Sequence, residues 1–98
     1  MFPARFYGVL FVIQTPILIL AFNRPSYTKK LIEALDKVSP SKIYVACDGP
    51  RESVSGENQK VLEVRELFFS LPWSPKVQTL FRSKNLGCKL AVSKAIDW

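Results

Sequence analysis

Four residues in this 98-residue chain have the type and placement to do chemistry, and each follows a short apolar run. Arg24 follows Ile17–Phe22, Asp48 follows Ile43–Cys47, and Asn85 and Gly87 follow Val77–Phe81. The fixed fork of an arginine can reach a diphosphate or a ribose. A carboxylate at the end of a strand can accept a hydrogen bond from a nucleoside. Arg51, in the turn Asp48-Gly49-Pro50-Arg51, offers a second arginine to an anion. Each of these residues also has a plainer reading. Arg24 suits an exposed surface, Asp48 suits a turn ahead of Gly49, and Asn85 with Gly87 suits turn chemistry. What joins them is their common position.

The elements that must position them follow a repeated order: an apolar run, an abrupt polar turn, then a helical pattern. Strands alternating with helices imply βαβ units and a parallel sheet, and in such sheets ligands bind beyond the carboxyl ends of the strands. Pro16 can open a strand but not sit within a central one, so the first strand is expected over 17–22. Its Ile-Leu-Ile-Leu-Ala-Phe run is apolar throughout, as in a strand buried on both faces. Strands two and three are expected over 43–47 and 77–82, in the sheet order 3-2-1. Helices are expected over 26–38, with Ser26 as N-cap, and over 58–70 and 88–98. Pro40 disfavours helical geometry at Ser39, and Pro72 and Pro75 close the second helix. The polar stretch 51–57 reads as a surface loop.

Composition narrows the partners. The chain is 48% apolar, enough for a core, and carries a net charge of +6. That charge favours anionic partners, or is simply a solvated basic surface. The lysines are scattered and no recognition motif appears, so nucleic acid is not an expected partner. There is no histidine, hence no imidazole base or metal ligand. Cys47 and Cys88 form no C-x-x-C and read as two reduced, buried thiols. No glycine-rich dinucleotide fingerprint follows the first run, where Asn23-Arg24-Pro25-Ser26 stands, and there is no P-loop.

Three segments carry a resemblance to a known family: Pro16–Pro25 (Pro-Ile-Leu-Ile-Leu-Ala-Phe-Asn-Arg-Pro), Ala46–Pro50 (Ala-Cys-Asp-Gly-Pro) and Phe81–Cys88 (Phe-Arg-Ser-Lys-Asn-Leu-Gly-Cys). Together with the closing Ala95-Ile96-Asp97-Trp98, the stretch from Thr15 to Trp98 resembles the start of a GT-A-fold, nucleotide-diphospho-sugar-dependent glycosyltransferase. It is similar to the N-acetylglucosaminyltransferase I type and to related family 2-like bacterial transferases. The resemblance implies a three-layer α/β/α arrangement with a parallel sheet, the N-terminal nucleotide-binding half of a GT-A (Rossmann-like) fold. The donor is then a nucleotide-diphospho-sugar, a UDP-sugar by preference, with the acceptor unspecified.

By the same resemblance Arg24 faces the ribose-phosphate portion and Asp48 accepts the imide N–H of a uracil-type base. Ala21 and Asn23 line the nucleotide through main-chain contacts, and Asn85 and Gly87 shape the far rim. The family's metal-binding carboxylates and catalytic base lie downstream of the segment matched here. No catalytic or metal residue is therefore assigned, no cofactor is expected in this stretch, and Mn or Mg is expected only for a complete enzyme. Such a stretch keeps base and ribose contacts but lacks the charge neutralisation that drives transfer. The alternative is a non-catalytic flavodoxin-like or receiver-like binding module. A nucleotidyltransferase is disfavoured by Asn23-Arg24-Pro25.

Residues 1–15 read as an apolar N-terminal extension, and 16–98 as a partial nucleotide-diphospho-sugar transferase domain. Joined to Ile17–Phe22, the run Phe6–Ile13 makes an apolar tract of about 17 residues, at the lower edge of a membrane span. Gln14, Thr15 and Pro16 interrupt it. The open readings of 6–13 are an edge strand returning against strand one, an unpacked extension, or membrane association. The location expected is cytoplasmic, with membrane association as the alternative.

Overall fold

The computed structural model describes residues 5–6, 9–10 and 15–98. Two short strands, β1 (Arg5–Phe6) and β2 (Val9–Leu10), pair antiparallel. Three longer ones, β3 (Ile17–Ala21), β4 (Lys42–Cys47) and β5 (Lys76–Phe81), form a wholly parallel sheet in the order β3-β4-β5. The helices between and after them are α1 (Pro25–Asp36), α2 (Glu57–Leu67) and α3 (Cys88–Asp97). This is a small α/β fold with the strand order and direction expected from the sequence.

The register explains the burial. Ile17, Ile43 and Val77 lie abreast, as do Ala21, Cys47 and Phe81. Because successive side chains alternate across a strand, Ile19, Ile43, Val45 and Cys47 share one face. Ile32 of α1 and Val61 and Val64 of α2 close over that face, with Phe68, to make the core. The opposite face carries Leu18, Leu20, Tyr44 and Ala46. There α3 approaches, with the Trp98 ring edge-on to Tyr44 at 5.3 Å and Ala95 buried.

Several boundaries differ from expectation. Helix α1 starts at Pro25, not Ser26, and Arg24 is its N-cap. Proline at the first helical position forfeits only an N–H that has no partner there anyway. The Arg24 carbonyl then accepts both the N–H and the hydroxyl of Thr28, at 3.0 and 2.8 Å. The other end stops at Asp36. Ser39 takes a left-handed φ of 45° and its hydroxyl donates to the Asp36 carbonyl at 2.7 Å. Helix α2 ends at Leu67, with Phe68 as C-cap.

The N-terminal strands bear on the open readings of residues 6–13. β1 and β2 pair with each other as a separate two-stranded sheet, not as an added edge of the main one. Phe6 and Val9 lie close in sequence, so pairing them costs less chain entropy than pairing with the more distant β3 would. The remainder of the 6–13 run lies outside the described residues. Ile17–Ala21, the second half of the apolar tract, is a strand. No helix among the described residues is long and apolar enough to cross a membrane.

Candidate functional site

At the carboxyl ends of the three strands lies a cleft of about 800 Å³, within the range typical of small-molecule sites. Ala21, Asn23, Arg24, Asp48, Asn85 and Gly87 all line it, so every site residue expected from the sequence converges on one place. The wall also includes residues that were not in that set: Phe22, Tyr27, Arg51 and Arg82.

Among the described residues Asp48 is the only carboxylate in the lining, and its oxygens accept main-chain amides. Oδ1 accepts the amides of Gly49 at 2.9 Å and Leu86 at 3.0 Å, while Oδ2 accepts those of Leu86 and Gly87, both at 3.2 Å. The side chain therefore ties the loop after β4 to the loop before α3. Asn85 repeats the tie in the other direction. Its Nδ2 donates to the Gly49 carbonyl at 2.7 Å and its Oδ1 accepts the Gly87 amide at 3.1 Å. Gly87, the N-cap of α3, has a φ of 86° that only glycine adopts freely.

Arg24 is held differently. Its guanidinium lies over the Tyr27 ring, 5.3 Å from the centroid, and makes no hydrogen bond among the described residues. It remains available to an anion. Arg82 is fixed through its main chain, the N–H donating to the Cys47 carbonyl at 3.0 Å and the carbonyl accepting Arg65 Nη2 at 2.6 Å. Arg65 Nη2 also meets the carbonyls of Cys47 and Asp48, at 3.4 and 3.2 Å. One guanidinium thus gathers the ends of β4 and β5 just past their last paired residues. Its position was readable in principle, since Arg65 lies four residues after Val61, on the apolar stripe of α2.

The residue least visible in the sequence is Glu57. It sits in a polar run and reads as solvated, yet it is only 2% exposed. Its Oε1 accepts the Arg51 main-chain N–H at 2.8 Å and Nε at 2.9 Å. Its Oε2 accepts Arg51 Nη2 at 2.5 Å and Asn23 Nδ2 at 3.1 Å. The hydrogen bond from the Arg51 side chain is the main reason its carboxyl is pulled down from 4.5 to about 2. The sign of the linkage follows. The stabilisation is complete above about pH 4.5, where the unfolded carboxyl would also be ionised, and is lost as pH falls toward about 2. Chemical denaturation across this window should show Glu57→Gln flattening the acid-side loss of stability relative to the parent protein.

The two cysteines separate. Cys47 is buried, and burial pushes its thiol up, so it stays protonated and can donate weakly to the Phe22 and Asp48 carbonyls at 3.7 and 3.6 Å. Cys88 was expected to be buried but is exposed, because α3 begins with it at the rim of the cleft. Both thiols are free.

Among the described residues the lining offers a divalent cation a single carboxylate, Asp48. No cluster of three or more His, Cys, Asp or Glu side chains occurs among the described residues. Asp48, the one carboxylate among the described lining residues, already accepts three main-chain amides; Mg is held through one or two carboxylates together with substrate phosphates. No family model, curated protein or solved structure matches this chain.

Proposed function

We propose that the cleft binds the nucleotide of a nucleotide-diphospho-sugar, a UDP-sugar by preference. On this reading the chain is the donor-binding half of a GT-A-type glycosyltransferase. The observation that carries the proposal is the convergence of all three strand–helix turns, with Arg24, Arg51 and Arg82, on one cleft at the carboxyl edge of a parallel sheet. The placement of α1 and α2 against one face, with α3 at the other, supports the finer reading of a three-layer, Rossmann-like half. Ala21 and Asn23 border the nucleotide through their main chains, and the ribose-phosphate lies toward Arg24. The base lies against the wall that Asp48 holds together, and an imide N–H reaches Oδ2 by sharing it with the Gly87 amide, one of its longer contacts.

Transfer of the sugar to an acceptor would further require neutralisation of the leaving diphosphate. Calorimetry with UDP and ADP tests the binding step. UDP should bind more tightly, and Asp48→Asn, which turns one acceptor oxygen into a donor, should narrow the gap. A hydrogen bond to a charged group is worth about 1.5–3 kcal/mol, so the gap should shrink by roughly ten- to a hundredfold. Equal affinity for UDP and ADP would leave Asp48 as a loop fastener and favour a non-catalytic module.

A further inference from the structure

We propose that Arg51, set in place by Glu57, is the residue through which the cleft grips a diphosphate, and that it does so without a divalent cation. This rests on the reading of the cleft as a nucleotide-diphosphate site and adds to it the means of anion capture. The geometry of the pair carries it. Arg51 offers its Nε and Nη2 edge to the carboxylate, so both oxygens of Glu57 are taken from one side. Nη1 has no hydrogen-bond partner among the described residues, and the Arg51 side chain is 51% exposed while lining the cleft. Its guanidinium lies 5.8 Å from the centre of the Phe22 ring, which is another part of that wall.

An exposed arginine ordinarily samples many rotamers, and ordering it costs affinity. Here the ordering is already done, by a buried acid that also fastens Asn23 from the neighbouring turn. Arg24 and Arg82 line the same cleft, while its one carboxylate is engaged by amides. A bidentate, charge-assisted contact of the kind guanidinium makes with phosphate can therefore form from arginine alone, in a cleft whose described carboxylate is already engaged by amides.

Two effects make opposite predictions, which gives the test its sign. If overall charge alone attracted the ligand, Glu57→Gln would remove an acid and tighten binding. If Glu57 acts by placing Arg51, the same substitution weakens binding. The probe is inorganic pyrophosphate, titrated calorimetrically into the 98-residue protein in the presence of EDTA, with circular dichroism to confirm folding of each variant. The parent protein should bind it, and Glu57→Gln should weaken binding at least fivefold. Arg51→Lys, which keeps the charge but loses the fork, should weaken it by a similar factor. Should Glu57→Gln fail to fold, the half-exposed Arg51→Lys decides alone.

Unchanged affinity in Arg51→Lys, tighter binding in a folded Glu57→Gln, or binding only when Mg is added would each overturn the proposal. The parent reading fails differently. In that case pyrophosphate binds and responds to Arg51→Lys, but UDP binds no tighter than pyrophosphate or ADP.

Discussion

Gly49→Ala should destabilise the protein by about 3 kcal/mol, the upper end of what an overpacked interior costs. The reason is contact, not backbone conformation. A β-carbon at Gly49 would stand 2.6 to 2.8 Å from the main-chain carbonyl carbon, nitrogen and oxygen of Lys84. No flexible side chain is there to yield, so one of the two loops must move. Such a move would also strain the hydrogen bond from Asn85 to the Gly49 carbonyl. Gly56 supplies the comparison. Its φ is 79°, but a β-carbon there would meet nothing within 4 Å, so Gly56→Ala should cost only the left-handed penalty of about 1 kcal/mol. Urea unfolding of both variants measures the difference, as a larger fall in midpoint for Gly49→Ala at unchanged slope.

Asp48→Ala should cost about 2–3 kcal/mol, the value of charge-assisted hydrogen bonds lost from a partly buried site. The turn would still have Gly49 and Pro50, which on sequence grounds suggests little effect on folding. The structure changes that expectation, because the carboxylate also holds the amides of Leu86 and Gly87 at the start of α3. A negative charge beside a helix N-terminus adds favourable dipole energy that alanine would remove. Hydrogen exchange offers a direct readout. Protection of the Leu86 and Gly87 amides should collapse in Asp48→Ala, while that of Val45, within the sheet, should fall only as far as overall stability does. Retained protection at Leu86 and Gly87 would mean that other contacts fasten this loop.

The strands were legible because each apolar run is bounded by turn residues; β3 ends one residue early, at Ala21 instead of Phe22. The helices were legible at their starts to within one residue, but overrun at their C-termini for a physical reason. The N–H groups of Lys37 and Val38 reach back three residues, to the Ala34 and Leu35 carbonyls. Those of Phe68 and Phe69 do the same, to Arg65 and Glu66. The last turns thus tighten while the apolar spacing continues, and periodicity does not register the change. Asp48 and Asn85 were legible as strand-end residues, but not their mutual fastening, which spans pairs such as Leu86 with Asp48 that lie far apart in sequence. Glu57 was not legible at all. A glutamate among polar neighbours carries no sign that its partner is an arginine six positions earlier.

Helix α2 contributes none of the residues that line the cleft, yet it holds all three of the turns that do. Glu57 at its start grips Arg51 and Asn23, and Arg65 in its last turn grips the chain at Cys47, Asp48 and Arg82. The helix is to the cleft as a keel is to a deck, unseen from above and deciding its trim. Cleft loops and α2 should therefore open as one cooperative unit, not as separate fluctuating segments. A substitution on the face of α2 that packs on the sheet, such as Val64→Ala, would then reach a bound anion without touching it, and an anion in the cleft would in turn slow the helix's departure from the sheet.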